Sequence, residues 1–149
     1  NFLRFNSSLQ ETVGTELRYE VEVGKDMTIN GIIDRVIKGR DGGFLVIDYK
    51  TGREKKKIDL YNDPQLMGYA FAIHKLYGVS LKNITCAHYY PLSDTLVTIK
   101  YSPSQVNTHI KKVIDDMWVI RKCKKTDLKP QKNEFCNWCD FKKQCPAFK

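Results

Sequence analysis

The sequence predicts an α/β or α+β core, and neither a helix bundle nor a β-sandwich. Three observations predict it. Leu17 to Val23 (LRYEVEV) alternates apolar and polar residues, the period of a half-covered strand. Two apolar runs flank a glycine turn at Arg40-Asp41-Gly42-Gly43. Beyond them, helical periodicity and strand-like runs alternate, giving three strands, a helix, two strands and a helix before a group of cysteines.

Asn1 to Gly14 has mixed polarity and reads as an irregular or partly helical lead-in. In the first strand, Leu17, Tyr19, Val21 and Val23 share one face, and Arg18, Glu20 and Glu22 the other. Gly24-Lys25-Asp26 turns the chain into a second strand, Met27 to Lys38. Phe44 to Lys50 forms the third, and its unbroken FLVI run fits a strand covered on both faces. A charged loop, Arg53 to Lys57, follows.

Asp63-Pro64 then opens a helix, with Asp as N-cap and Pro at the first helical position. The helix stops at Gly78 and turns Leu66, Tyr69, Ala70, Ile73 and Tyr77 inward. Ile84 to Pro91 and Thr95 to Tyr101 are two further strands joined at Ser93-Asp94. Ser102-Pro103 starts a second helix with Val106, Ile110, Val113, Ile114, Met117 and Ile120 on its apolar face, fading near Lys125. Pro130 breaks the chain before the cysteines, so the expected organisation is a core over 1–129 and a knuckle over 130–149 packed on it.

Length and composition suit one globular domain with a real core. No run of 18 apolar residues and no signal-peptide pattern is present, so membrane insertion and secretion are not expected and an intracellular setting is. The formal net charge of +8 is uneven: residues 1–99 carry +1 and residues 100–149 carry +7. A basic half on a neutral domain favours a polyanion as partner; a solvated lysine-rich surface is the alternative.

The stretch Gly31 to Lys50 concentrates charge inside apolar runs. Residues i and i+2 of a strand share a face, so Asp48 and Lys50 project together and a hairpin brings Asp34 alongside. Desolvating two acids and a lysine is costly, and a divalent ion bridging the acids offsets that cost. Hard carboxylate oxygens suit Mg²⁺ or Mn²⁺, the ions of phosphodiester hydrolysis. Lys50 can orient the attacking water or pair with the phosphate. The alternative is a hairpin with an Asp48–Lys50 ion pair, which D-x-K alone does not exclude. The helix that follows tips the balance. Its Gln65 and Tyr69, i and i+4, share a face and pack close behind the D-x-K strand, although Tyr69 taken singly also reads as a core aromatic.

Taken together, G-I-I-D-R, I-D-Y-K-T-G and D-P-Q-L-x-x-Y-A resemble the PD-(D/E)xK nuclease superfamily, and within it the RecB-type branch that includes the AddB nuclease domain and CRISPR-associated RecB-like exonucleases. The resemblance covers roughly Val21 to Lys149. It implies a restriction-endonuclease-like α/β (α+β) core, a central mixed sheet flanked by helices. It implies that Asp34, Asp48 and the backbone carbonyl of Tyr49 ligate Mg²⁺ or Mn²⁺, that Lys50 is the catalytic lysine, and that Gln65 and Tyr69 form the branch's Q-x-x-x-Y pair. The function it implies is a metal-dependent DNA nuclease, an exonuclease acting on ends or single strands, with a helicase or recombination partner and a role in DNA repair. A non-catalytic nucleic-acid-binding or helicase-partner module with the same fold is the alternative. The branch often adds a metal-binding His or Glu on a preceding helix. Here that ligand lies upstream of Asn1, or Glu16 or Glu20 supplies it, or the site lacks it.

Cys136-x2-Cys139-x5-Cys145 places three thiols in one short loop, a spacing that suits zinc or an iron–sulfur cluster. The resemblance implies a [4Fe–4S] cluster; zinc or an empty knuckle are the alternatives. Its fourth ligand is Cys123 or lies upstream of the chain, while Cys86 reads as core. Trp138, Phe141 and Phe148 are expected to pack around the knuckle. Lys122, Lys124, Lys125, Lys142 and Lys143 are the candidate DNA-binding lysines.

Overall fold

The computed structural model describes residues 11–124, 126 and 128–148. Five strands, β1 (Thr12–Gly24), β2 (Met27–Lys38), β3 (Phe44–Tyr49), β4 (Ile84–Tyr90) and β5 (Thr95–Ile99), form one sheet in the order β1-β2-β3-β4-β5. Three of its four pairings are antiparallel; β3 and β4 run parallel, with Asp48 opposite His88. The sheet is therefore mixed, as expected. Its hairpins follow from local chemistry. Gly42 and the Asp residues Asp26 and Asp94 take positive φ at the tight turns, conformations that glycine and short polar side chains tolerate best.

The crossover between β3 and β4 carries helix α1 (Pro64–Tyr77). Asp63 caps it by accepting hydrogen bonds from the Gln65 and Leu66 amides, and Gly78 ends it in the left-handed conformation. Leu66, Tyr69, Ala70 and Ile73 pack with Val36, Val46 and Cys86 in the main core, joined by Val106 and Ile110 of helix α2 (Pro103–Lys122). Tyr77, placed on the inward stripe by its spacing, is half-exposed and stacks on Phe44 at 4.9 Å. A smaller apolar cluster, Ile37, Ile47, Ala87 and Tyr89, lies on the other face of the sheet. Burial of FLVI on both faces follows from β3 being central.

The described lead-in differs from expectation. From Thr12 it is strand, because β1 runs past Leu17 and pairs with β2 as far as Ile37; residues 1–10 lie outside the described residues. The chain divides into two compact units, one ending at Asp115 and one beginning at Asp116, a boundary inside α2. Ile120, counted on the apolar face of α2, is 73% exposed. That face is buried only through the turns that belong to the first unit.

Candidate active site

Every side chain of the D…D-x-K and Q-x-x-x-Y sets belongs to the first unit. The β2–β3 hairpin puts Asp34 beside the end of β3, where its Oδ2 accepts a hydrogen bond from the Tyr49 amide at 2.8 Å. Asp48 and Lys50 do project together: Lys50 Nζ lies 2.7 Å from Asp48 Oδ2. Gln65 Oε1 accepts from Lys50 Nζ at 2.9 Å, Gln65 Nε2 donates to the Tyr69 hydroxyl at 2.8 Å, and that hydroxyl donates to the Ile32 carbonyl at 2.9 Å. One relay thus runs from the lysine through α1 back to β2. Tyr69 is buried with its proton engaged, so it braces Gln65. Burial pushes its phenol up to about 12 and keeps it neutral. Tyr19 meets the Tyr69 ring edge-on at 6.2 Å, and Gly31, its partner across β1 and β2, leaves room for it: a Cβ there would fall 2.8 Å from the Tyr19 hydroxyl.

Asp48 is the electrostatic centre. It is 3% exposed, and its Oδ2 pairs with the Lys50 ammonium at 2.7 Å. Burial raises its pKa; Lys50 and His88 lower it only in part, and Asp34 adds to the rise. Two neighbouring carboxylates, one of them buried, are the side chains that could hold a hard divalent cation.

Pattern reading missed three groups around Asp48. His88 is fully buried, with Nε2 3.8 Å from both Asp48 Oδ2 and Asp63 Oδ2. Lys55 pairs with Asp63 at 3.2 Å, and its amide donates to the Tyr90 hydroxyl. Alternation of Cys86, His88 and Tyr90 on one strand face was the available signal. That β4 runs parallel beside β3 was not readable.

Other expected groups stand elsewhere. Glu20 is exposed on β1 opposite Asn30 and lines a separate cleft with Phe71 and Lys75. Thr15 and Leu17 pair with Arg35 and Ile33, which sets Glu16, at positive φ, across from Asp34. In the second unit the thiols Cys123, Cys136, Cys139 and Cys145 are free. Among the described residues no three His, Cys, Asp or Glu side chains gather closely enough to hold a metal ion. Cys136 Sγ accepts from the Asn133 amide at 3.4 Å. The aromatic residues do not pack around it as expected. Trp138 and Phe141 are mostly exposed, and Phe148 lies under Lys132 and Lys142. Lys122 and Arg121 approach the Trp118 ring. Lys124 and Lys143 are exposed and Lys142 is half-buried; Lys125 lies outside the described residues.

A mixed five-stranded sheet, a capped crossover helix and an Asp…Asp-x-Lys set at the end of the central hairpin define a restriction-endonuclease-like nuclease fold. The chain belongs to the PD-(D/E)XK nuclease superfamily, whose family model matches residues 2–146. It is 27% identical over 132 residues to a subunit of the ATP-dependent helicase/deoxyribonuclease of Streptococcus pyogenes serotype M1, and 26% identical to the same protein from serotype M49 strain NZ131. Each alignment covers 85% of this chain, and the chain spans 12% of the length of these relatives. The crystal structure of SSO0001 shares the fold: TM-score 0.56 at 22% identity, covering 99% of this chain and 68% of that one. No helix of the described residues is long and apolar enough to cross a membrane.

Proposed function

We propose that the chain is a divalent-metal-dependent deoxyribonuclease module that hydrolyses phosphodiester bonds at DNA ends or in single strands, as an exonuclease. The observation that carries this reading is the buried Asp48 carboxylate paired with the Lys50 ammonium at 2.7 Å beside Asp34. Asp34, Asp48 and the Tyr49 carbonyl are the metal ligands. Mg²⁺ or Mn²⁺, when bound, supplies Lewis acidity toward water and phosphate. Lys50, fixed by Gln65, orients the attacking water and offsets charge gathering on the phosphate oxygens. Tyr69 holds Gln65 in place.

Lysines of the second unit, exposed Lys122, Lys124 and Lys143 and half-buried Lys142, track the phosphate backbone, and exposed Trp138 offers a face for base stacking. Similarity to helicase/deoxyribonuclease subunits supports a helicase partner and work in recombination or repair. The test is a labelled-strand assay in Mn²⁺. Asp48→Ala and Lys50→Ala are each expected to lower cleavage at least a hundredfold with circular dichroism unchanged. Cleavage by both variants at the parental rate would falsify the site. DNA binding by the parent without cleavage in any divalent metal would instead favour the non-catalytic module.

A further inference from the structure

His88 has no part in the Asp…Asp-x-Lys chemistry, yet among the described residues of the first unit it is more deeply buried than Asp48 or Asp63. It stands on β4 directly across from Asp48, and its Nε2, fully buried, reaches no hydrogen-bond partner. Two carboxylate oxygens stand at the same 3.8 Å from it: Asp48 Oδ2 and Asp63 Oδ2. On its other side, Nδ1 is 3.5 Å from the Tyr90 hydroxyl. That hydroxyl accepts the Lys55 amide proton at 2.9 Å, which leaves its own proton free for Nδ1. Tyr90 thus backs the ring at Nδ1, and Nε2 is the ring atom turned toward the two acids. Lys50 and Lys55 supply the cations around it, each paired with one of the two acids.

The two carboxylates have different tasks. Asp48 is the central acid of the proposed site. Asp63 caps α1, the helix that carries Gln65 and Tyr69. A ring set between them links the strand that bears Asp48 to the helix that positions Lys50.

We propose that His88 is a positioning residue: backed by Tyr90 at Nδ1, its ring stands between the Asp48 and Asp63 carboxylates and so keeps Asp48 in register with Lys50 and Gln65. The inference rests on the proposed metal-binding role of Asp48. Partners of this kind behind a ligand typically change metal affinity or activity by about 10–100-fold.

The test measures Mn²⁺ binding from the loss of the free-ion electron paramagnetic resonance signal, with steady-state cleavage alongside. Four proteins are compared: parent, Asp48→Ala, His88→Leu and His88→Gln. His88→Leu is expected to weaken Mn²⁺ binding and lower kcat, each about tenfold, with KM for DNA unchanged. His88→Gln, which keeps an N–H donor at a similar reach, is expected to restore most of both. Parental binding and kcat in His88→Leu overturn the proposal, as do equal losses in the Leu and Gln variants, the signature of a packing role alone. Parental Mn²⁺ binding by Asp48→Ala overturns the metal-site reading and this inference with it. Loss in Asp48→Ala but not in His88→Leu overturns this inference alone. Should His88→Leu fail to fold, Tyr90→Phe decides: weaker Mn²⁺ binding supports the proposal, and parental binding overturns it.

Discussion

Asp48 is held where its charge is least comfortable. Burial raises its pKa by more than Lys50 and His88 lower it, so the folded state favours the neutral acid more than the unfolded chain does. In the metal-free protein, this carboxylate is therefore destabilising at neutral pH. Asp48→Asn is expected to raise stability by about 1 kcal/mol and the Tm by roughly 3 °C, while removing cleavage. The sign fixes the pH window. The parent's relative stability falls as the pH rises from the ordinary carboxylate range through the raised folded pKa, so the gain in Asp48→Asn should appear at pH 7 and shrink toward pH 4. Melting curves without metal check this, and a variant less stable than the parent at pH 7 contradicts it.

At the scale of elements, α1 brings together the groups that make up the lysine relay. Its N-terminus is held by Asp63, which accepts from two orphan amides and pairs with Lys55. Burial works to raise the Asp63 pKa, but the Leu66 amide and Lys55 outweigh it and hold the carboxyl below its usual range. Its contribution is present above the ordinary carboxylate pKa and is lost as the pH falls through the lowered folded value. Asp63→Ala is expected to cost about 1–2 kcal/mol, read in urea midpoints at pH 7, and cleavage should fall with it because Gln65 loses its register. Asp63→Asn keeps the cap and should cost less. Equal stability of the Ala variant and the parent would sink the argument. The cap and the stop of α1 were legible in one dimension, since D-P and G act within one turn. The faces of β1 were legible too: Val21 is buried and Leu17, Tyr19 and Val23 pack against the core. Its length was not, because the extension over Thr12 to Glu16 is set by pairing with β2 and not by its own alternation.

Across the whole molecule, the five cysteines sort by unit. Cys86 lies in the main core, where burial pushes its thiol up to about 12 and its Sγ faces the Leu66 carbonyl at 3.5 Å. Cys123 and Cys139 are exposed in the second unit. Under native conditions a thiol reagent should label Cys139 and Cys123 first and reach Cys86 only on global unfolding, so peptide-resolved labelling reports the stability of the first unit. Labelling of Cys86 at the rate of Cys139 would contradict the placement of β4.

Short-range chemistry was enough to read the strand faces and the capped helix, because alternation and capping act over a few residues; Asp34, Asp48, Lys50, Gln65 and Tyr69 were assigned their roles by resemblance to a nuclease family and not by spacing. The spacing of Cys136, Cys139 and Cys145 is also local, but it does not fix where sulfur atoms point, and the folded knuckle does not gather them. Tertiary structure alone decided that β4 lies parallel beside β3 and so sets His88 between Asp48 and Asp63. Contacts between residues forty positions apart are chosen by burial of the whole sheet, and no local pattern encodes them.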